Sequence, residues 1–140
     1  MRIAVDFDGT IVEHMYPKIG KVMPFAFEAL KELQAEGHEI ILWTYRSGNE
    51  LNEAVEFCKK HGLEFFAINK SDPEEVFNHT ISRKIYADIY IDDRNIGGFP
   101  GWTYIWKLLN HDESTNSKEF FENLTKKKIN LTEKLKKLFI

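Results

Sequence analysis

The chain has 140 residues, 43% hydrophobic and 29% charged, which suits one domain with its own core and leaves too little chain for two. Its formal net charge of -3 gives no basic footprint for nucleic acid. A single cysteine, Cys58, excludes an internal disulfide or a cysteine metal cluster, and with no signal peptide and no run near the roughly 18 apolar residues of a membrane span the default expectation is a soluble cytoplasmic protein.

Four short apolar runs read as strands, at Arg2–Phe7, Glu39–Trp43, Glu64–Ile68 and Ala87–Ile91. They are rich in β-branched and aromatic residues and do not alternate cleanly, the pattern of strands buried on both faces of a parallel sheet. Between the first two, Ala26, Ala29, Leu30 and Leu33 share one face of a helix over Pro24–Glu36, with Gly37 at its C-cap. Leu51, Ala54, Val55 and Cys58 make the stripe of a second helix, Glu50–His61, ended by Gly62. Cys58 belongs to that stripe and reads as a buried thiol. Asp72-Pro73 predicts an N-cap and first turn of a short helix ending near His79. Another helix is expected from Pro100-Gly101 to Leu109, with Trp102, Ile105, Trp106 and Leu109 facing the sheet.

The order is β-α-β-α-β-α-β-α, which predicts a three-layer α/β/α sandwich with a parallel, Rossmann-like sheet. A C-terminal helical segment over 117–140 completes the expectation. Residues 118–140 carry seven lysines and three glutamates, a net of +4, against -7 for the preceding 117 residues. Such a basic amphipathic segment packs back on the core, or docks on a partner or membrane surface.

In open parallel sheets, ligand sites form beyond the C-terminal ends of the strands. Here those ends carry Asp6-Phe7-Asp8-Gly9-Thr10, Thr44-Tyr45-Arg46, Asn69-Lys70 and Asp92-Asp93-Arg94-Asn95. Acids at spacing two on an extended chain point the same way, so Asp6 and Asp8 face one pocket. With Asp92 and Asp93 beside them, the carboxylates require a cation. Oxygen donors without cysteine or a suitably spaced histidine pair favour Mg²⁺ over Zn²⁺.

At these residues the sequence resembles the haloacid dehalogenase-like hydrolases, mostly Mg²⁺-dependent phosphatases. Ile3-Ala4-Val5-Asp6-Phe7-Asp8-Gly9-Thr10 resembles their first motif, a hydrophobic strand followed by Asp-x-Asp-x-Thr. Ile40-Ile41-Leu42-Trp43-Thr44 resembles the second, and Ile89-Tyr90-Ile91-Asp92-Asp93 the fourth. The resemblance covers residues 2 to about 110, and the chain looks like small bacterial members of the superfamily. It implies that Asp6 is the nucleophile that forms an aspartyl-phosphate and that Asp8 is general acid, then general base. It also implies that Asp92 and Asp93, with Asp6 and the backbone carbonyl of Asp8, hold Mg²⁺, and that Thr44 donates to a phosphoryl oxygen. Gly9, Thr10 and Arg46 are candidates for substrate contact. Thr10 also suits a brace for the turn after the first strand, and Arg46 at the pocket mouth suits either a phosphate clamp or a surface salt bridge.

The third-motif lysine has two candidates. Lys70 follows the third strand at the proper rim, 22 residues before Asp92, and is preferred; Lys84 leads into the last strand from the opposite rim. Superfamily members often carry a cap domain after the first motif or between the second and third. Only about 14 residues separate Thr10 from Pro24 and about 20 separate Thr44 from Glu64, so a single capless domain is expected, with its core in 1–110. The expected activity is a Mg²⁺-dependent phosphomonoester hydrolase on a phosphorylated substrate of open identity. The alternatives are a phosphotransferase on the same scaffold or a catalytically weak phosphate-ligand binding domain.

Overall fold

A computed structural model gives the protein's structure and describes residues 1–110. The expected C-terminal helical segment, 117–140, lies outside the described residues. The chain forms two compact units, Met1–Trp102 and Thr103–Ile140.

The first unit is built on four parallel strands: β1 (Arg2–Val5), β2 (Glu39–Leu42), β3 (Ala67–Ile68) and β4 (Ile89–Ile91), in the order β3-β2-β1-β4. This is the order 4-1-2-3 of a Rossmann-like α/β sheet flanked by helices. Ile3, Val5, Ile40, Ile41 and Leu42 are fully buried and Ala4 nearly so, which accounts for the unbroken apolar runs of the two central strands. Both strands are shorter than their apolar runs because Asp6-Phe7 and Trp43 continue past the ladder into the rim.

Helices α1 (Ala26–Ala35) and α2 (Gly48–Lys60) follow β1 and β2. Ala26, Phe27, Ala29, Leu30 and Leu33 of α1 and Ala54 and Cys58 of α2 are buried, while Leu51 and Val55 of the second stripe are half-buried. Phe27 of α1 stacks on His61 (centroids 4.3 Å) and meets Phe57 of α2, whose edge meets Phe7 after β1 (6.2 Å). One aromatic group thus ties both helices to the first motif. α1 begins two residues later than Pro24 because Phe25 takes a left-handed conformation (φ 63°) before the first turn. A third helix, α3 (Trp102–Leu109), starts at the last residue of the first unit.

The short helix expected after Asp72-Pro73 does not form. Asp72 starts as a cap should, accepting from the Glu74 amide at 3.1 Å, and Glu75 reaches back to the Ser71 amide at 3.3 Å. The next turn has nothing to bury, however: Val76 is 78% and Phe77 56% exposed. Without an apolar face against the sheet, a single capped turn does not propagate. The β3–β4 crossover is instead held by Arg2, whose guanidinium donates to the Ser71 carbonyl and to Asp72, and by the Ser71 hydroxyl, which accepts from the Tyr86 amide. From this crossover Ile85 joins Ala4, Ile41 and Ala67 in a buried cluster, with Trp43, Phe66, Ala87 and Tyr90 packed around it.

Candidate active site

Strand register assembles the site. Val5 pairs with Leu42 and Ile91, and Leu42 with Ile68. The next residues, Asp6, Trp43, Asn69 and Asp92, therefore leave the sheet side by side. Three further backbone bonds hold these ends in step, with the Asp6 amide donating to the Ile91 carbonyl, Trp43 to Val5 and Asn69 to Leu42, at 2.8–2.9 Å. One carboxylate oxygen from each of Asp6, Asp92 and Asp93 lies within 4.8 Å of the others. The Asp6 carboxyl is pushed up to about 7, first by burial and then by the negative charges of Asp92 and Asp93, against a hydrogen bond from the Phe7 amide.

Asp93 Oδ1 is buried without a hydrogen-bond partner, a costly state for a carboxylate oxygen that a hard cation relieves. The cluster offers only carboxylate oxygens, so the donor set fits Mg²⁺. The side chain of Asp8 is not part of it.

The first-motif turn is shaped around Asp93. Gly9 has φ +87°, and a Cβ there would stand 2.1 Å from Asp93 Oδ2. Thr10 is fully buried; its hydroxyl accepts the Asp93 amide (3.1 Å) and its carbonyl accepts the Trp102 indole N–H (2.8 Å). Thr10 therefore braces the first motif against the fourth.

Arg46 is not at the mouth of the pocket. It is 1% exposed, behind Asp8. Nε and Nη2 donate to the two carboxylate oxygens of Asp8 at 2.7 and 2.8 Å, Nη2 also to the Lys18 carbonyl (2.7 Å), and Nη1 to the carbonyls of Pro17 (3.0 Å) and Glu50 (3.4 Å). Its five N–H groups are all taken, and its flat face covers the rings of Phe7 and Tyr16 at 5.0 and 5.3 Å. In this arrangement no donor remains for a substrate, and both oxygens of Asp8 act as acceptors. The same guanidinium fixes the 11–23 loop, whose base is an antiparallel bridge between Val12 and Val22.

Neither candidate lysine joins the carboxylates. Asn69, at φ 52°, turns the chain away from the rim, and the next residues reach Arg2, at the other end of β1 from Asp6. Lys70 Nζ donates to the Pro73 carbonyl at 2.6 Å, and Lys84 lies over the Tyr90 ring at 5.4 Å. Among the described residues neither makes an ion pair with the cluster. Asn69 itself was not singled out by sequence: its Oδ1 accepts the Thr44 amide (2.8 Å) and its Nδ2 donates to the Arg46 carbonyl (3.4 Å), clipping the second-motif loop. Its position at a strand end was the available signal. Thr44 Oγ1 accepts the Arg46 amide (3.1 Å), which leaves the threonine's own proton to be given to a ligand.

These groups open on a cleft of about 670 Å³ lined by Asp6, Asp8 and Asp92, by Thr44 and Arg94, and by the rings of His14, Tyr16, Trp43 and Tyr45. Arg94 is tied in through its backbone, its amide donating to Asp92 Oδ1 at 2.8 Å.

A parallel α/β sheet with three carboxylates gathered at the ends of β1 and β4 defines a Rossmann-like hydrolase core. The family profile of haloacid dehalogenase-like hydrolases matches residues 3–139, and the chain belongs to that family. It is similar to a solved structure from Bacteroides thetaiotaomicron, described as a conserved protein coded by a locus of that organism. The two share 54% identity over 81% of this chain and 93% of that one, with a TM-score of 0.76. No curated protein sequence matches at a significant level. Among the described residues, no helix is long and apolar enough to cross a membrane.

Proposed function

We propose that this chain is a capless, Mg²⁺-dependent phosphomonoester hydrolase working through an aspartyl-phosphate on Asp6. The observation that carries the reading is the convergence of Asp6, Asp92 and Asp93 within 4.8 Å beside an unpartnered Asp93 oxygen. Those three carboxylates would hold the ion, which supplies positive charge against the phosphoryl oxygens and keeps Asp6 ionised. The Asp6 oxygen attacks phosphorus; the new O–P bond forms as the ester P–O bond breaks, and the electron pair leaves on the ester oxygen. Thr44 gives its free hydroxyl proton as a hydrogen bond to a phosphoryl oxygen. Water then cleaves the acyl phosphate and restores Asp6.

Asp8 is the group for proton transfer to the leaving oxygen and from the attacking water. Its bidentate pairing with Arg46 holds it as an acceptor, so donation to a leaving alkoxide requires that pair to loosen. Leaving groups that depart as stable anions need no such step. Among the described residues Arg94 is the arginine that lines the cleft, and it takes the charge-balancing part, while Lys70 donates to the Pro73 carbonyl and Lys84 lies over the Tyr90 ring. The same Asp8 pairing also favours a second reading, a phosphate-ligand binding domain with weak turnover.

The test is release of inorganic phosphate from an activated aryl phosphate with and without Mg²⁺, with intact-mass detection of phosphoenzyme. Wild-type protein should turn over only with the ion, and Asp6→Asn should show neither turnover nor phosphoenzyme. Binding of phosphate without release from any ester would move the assignment to the second reading.

A further inference from the structure

We propose that the cleft carries a ring-stacking subsite built from Tyr16 and Tyr45, and that its phosphorylated ligand is of the nucleoside monophosphate class. The inference rests on the phosphomonoester reading for its chemistry, but its geometry stands apart from the acid cluster. Tyr45 directly follows Thr44 and is 90% exposed; Tyr16, from the 11–23 loop, is 43% exposed. Their rings meet edge to face with centroids 6.2 Å apart, and both line the same cleft as Asp6, with Trp43 and His14 beside them. A ligand phosphoryl group held by Thr44 therefore has its ester substituent directed among ring faces.

The rings are held in place before any ligand arrives. Arg46 lies under Tyr16 at 5.3 Å, ties down the carbonyls of Pro17 and Lys18, and is the residue next to Tyr45. A fully buried, five-fold bonded arginine is a costly support for a loop with no task, whereas a pre-organised aromatic platform lowers the cost of binding a flat ligand. The volume, about 670 Å³, lies within the range of small-molecule sites. A bare sugar phosphate would turn its hydroxyls toward ring faces and leave Tyr45 in water. A heteroaromatic base covers Tyr45 and offers ring acceptors to the Arg94 guanidinium, which makes no ion pair among the described residues and suits such edges.

Base–aromatic stacking corresponds to roughly 5- to 150-fold in affinity per base. With Mg²⁺ present, kcat/KM for nucleoside 5′-monophosphates should exceed that for ribose 5-phosphate, which lacks only the base, by at least about tenfold. That ratio should collapse toward one in Tyr45→Ala and return in Tyr45→Phe. Ribose 5-phosphate turned over as well as the nucleotides, or an unchanged ratio in Tyr45→Ala, would overturn the subsite and leave the phosphatase reading standing. Phenyl phosphate bound by folded Asp6→Asn protein as tightly as the nucleotides would overturn the heteroaromatic assignment, a comparison that does not depend on the leaving group. A parallel titration of folded Asp6→Asn protein, followed by calorimetry, separates the two readings: nucleotide binding that depends on Tyr45, without turnover by wild type, keeps the subsite and removes the hydrolase. No preference for nucleotide over ribose 5-phosphate in this titration removes the subsite.

Discussion

Arg46 is the residue on which most local structure depends. It carries a positive charge into the interior against Asp8, and the guanidinium saturates itself on three backbone carbonyls. Removing one member of a buried ion pair leaves the other charge uncompensated and costs about 3–5 kcal/mol. Arg46→Met should lose stability of that order in urea unfolding, and Arg46→Lys should recover only part of it, because an ammonium cannot make the two-pronged bond to Asp8. A loss below about 1 kcal/mol in Arg46→Met would show the pair to be dispensable. Cys58 is a contrasting case. Burial alone pushes its thiol up to about 12, so almost no thiolate exists at neutral pH. Thiol reagents should label it only at the rate of unfolding, and fast labelling of native protein would contradict its place in the α2 stripe.

At the scale of elements, the site follows from register: four strand ends in step place Asp6 between Trp43 and Asp92, and a tight turn brings Gly9 under Asp93. Gly9→Ala adds a methyl 2.1 Å from a carboxylate oxygen at a backbone angle of φ +87°, so Asp93 must move. The variant should lose much of any Mg²⁺-induced rise in melting temperature even where it still folds, a point settled by melting curves with and without the ion. The acids at the strand ends were legible in the sequence because each pair lies within one short segment, apolar strand and then acids, whereas the approach of Gly9 to Asp93 joins two distant segments. The order of strands came with the family resemblance, not from the spacing of the residues. What was not legible depends on partners far along the chain. Arg46 reads as a mouth residue until Asp8, 38 positions earlier, and the 16–18 loop close over it. Lys70 reads as a rim lysine, but its ammonium donates to the Pro73 carbonyl in the crossover that follows. The crossover helix failed for a third reason, since a good cap at Asp72 is a local signal while the missing apolar face beneath Val76 and Phe77 is not.

For the molecule as a whole, the carboxylate cluster opposes folding unless its charge is neutralised, and either protons or a divalent ion can do this. The Asp6 carboxyl stands at about 7 in the folded protein against 3.8 for an unstrained aspartate. Between those values the native state holds a proton that the unfolded chain has given up. This contribution to stability is present in full below about pH 4, falls as pH rises, and is gone above about 7. On the proposed function Mg²⁺ would bind the same oxygens in their ionised form and only in the native state, so it would stabilise by mass action and compete with the proton. The melting temperature of metal-free protein should therefore decline between pH 5 and 7 relative to Asp6→Asn, in which the titrating group is absent. The rise produced by millimolar Mg²⁺ should be small at pH 5 and grow toward pH 8, and Asp92→Ala should abolish it. A rise that is equal at both pH values would mean that the ion does not bind at Asp6. No rise at either value would remove the cation from the cluster and, with it, the charge balance on which the proposed nucleophilic attack by Asp6 depends.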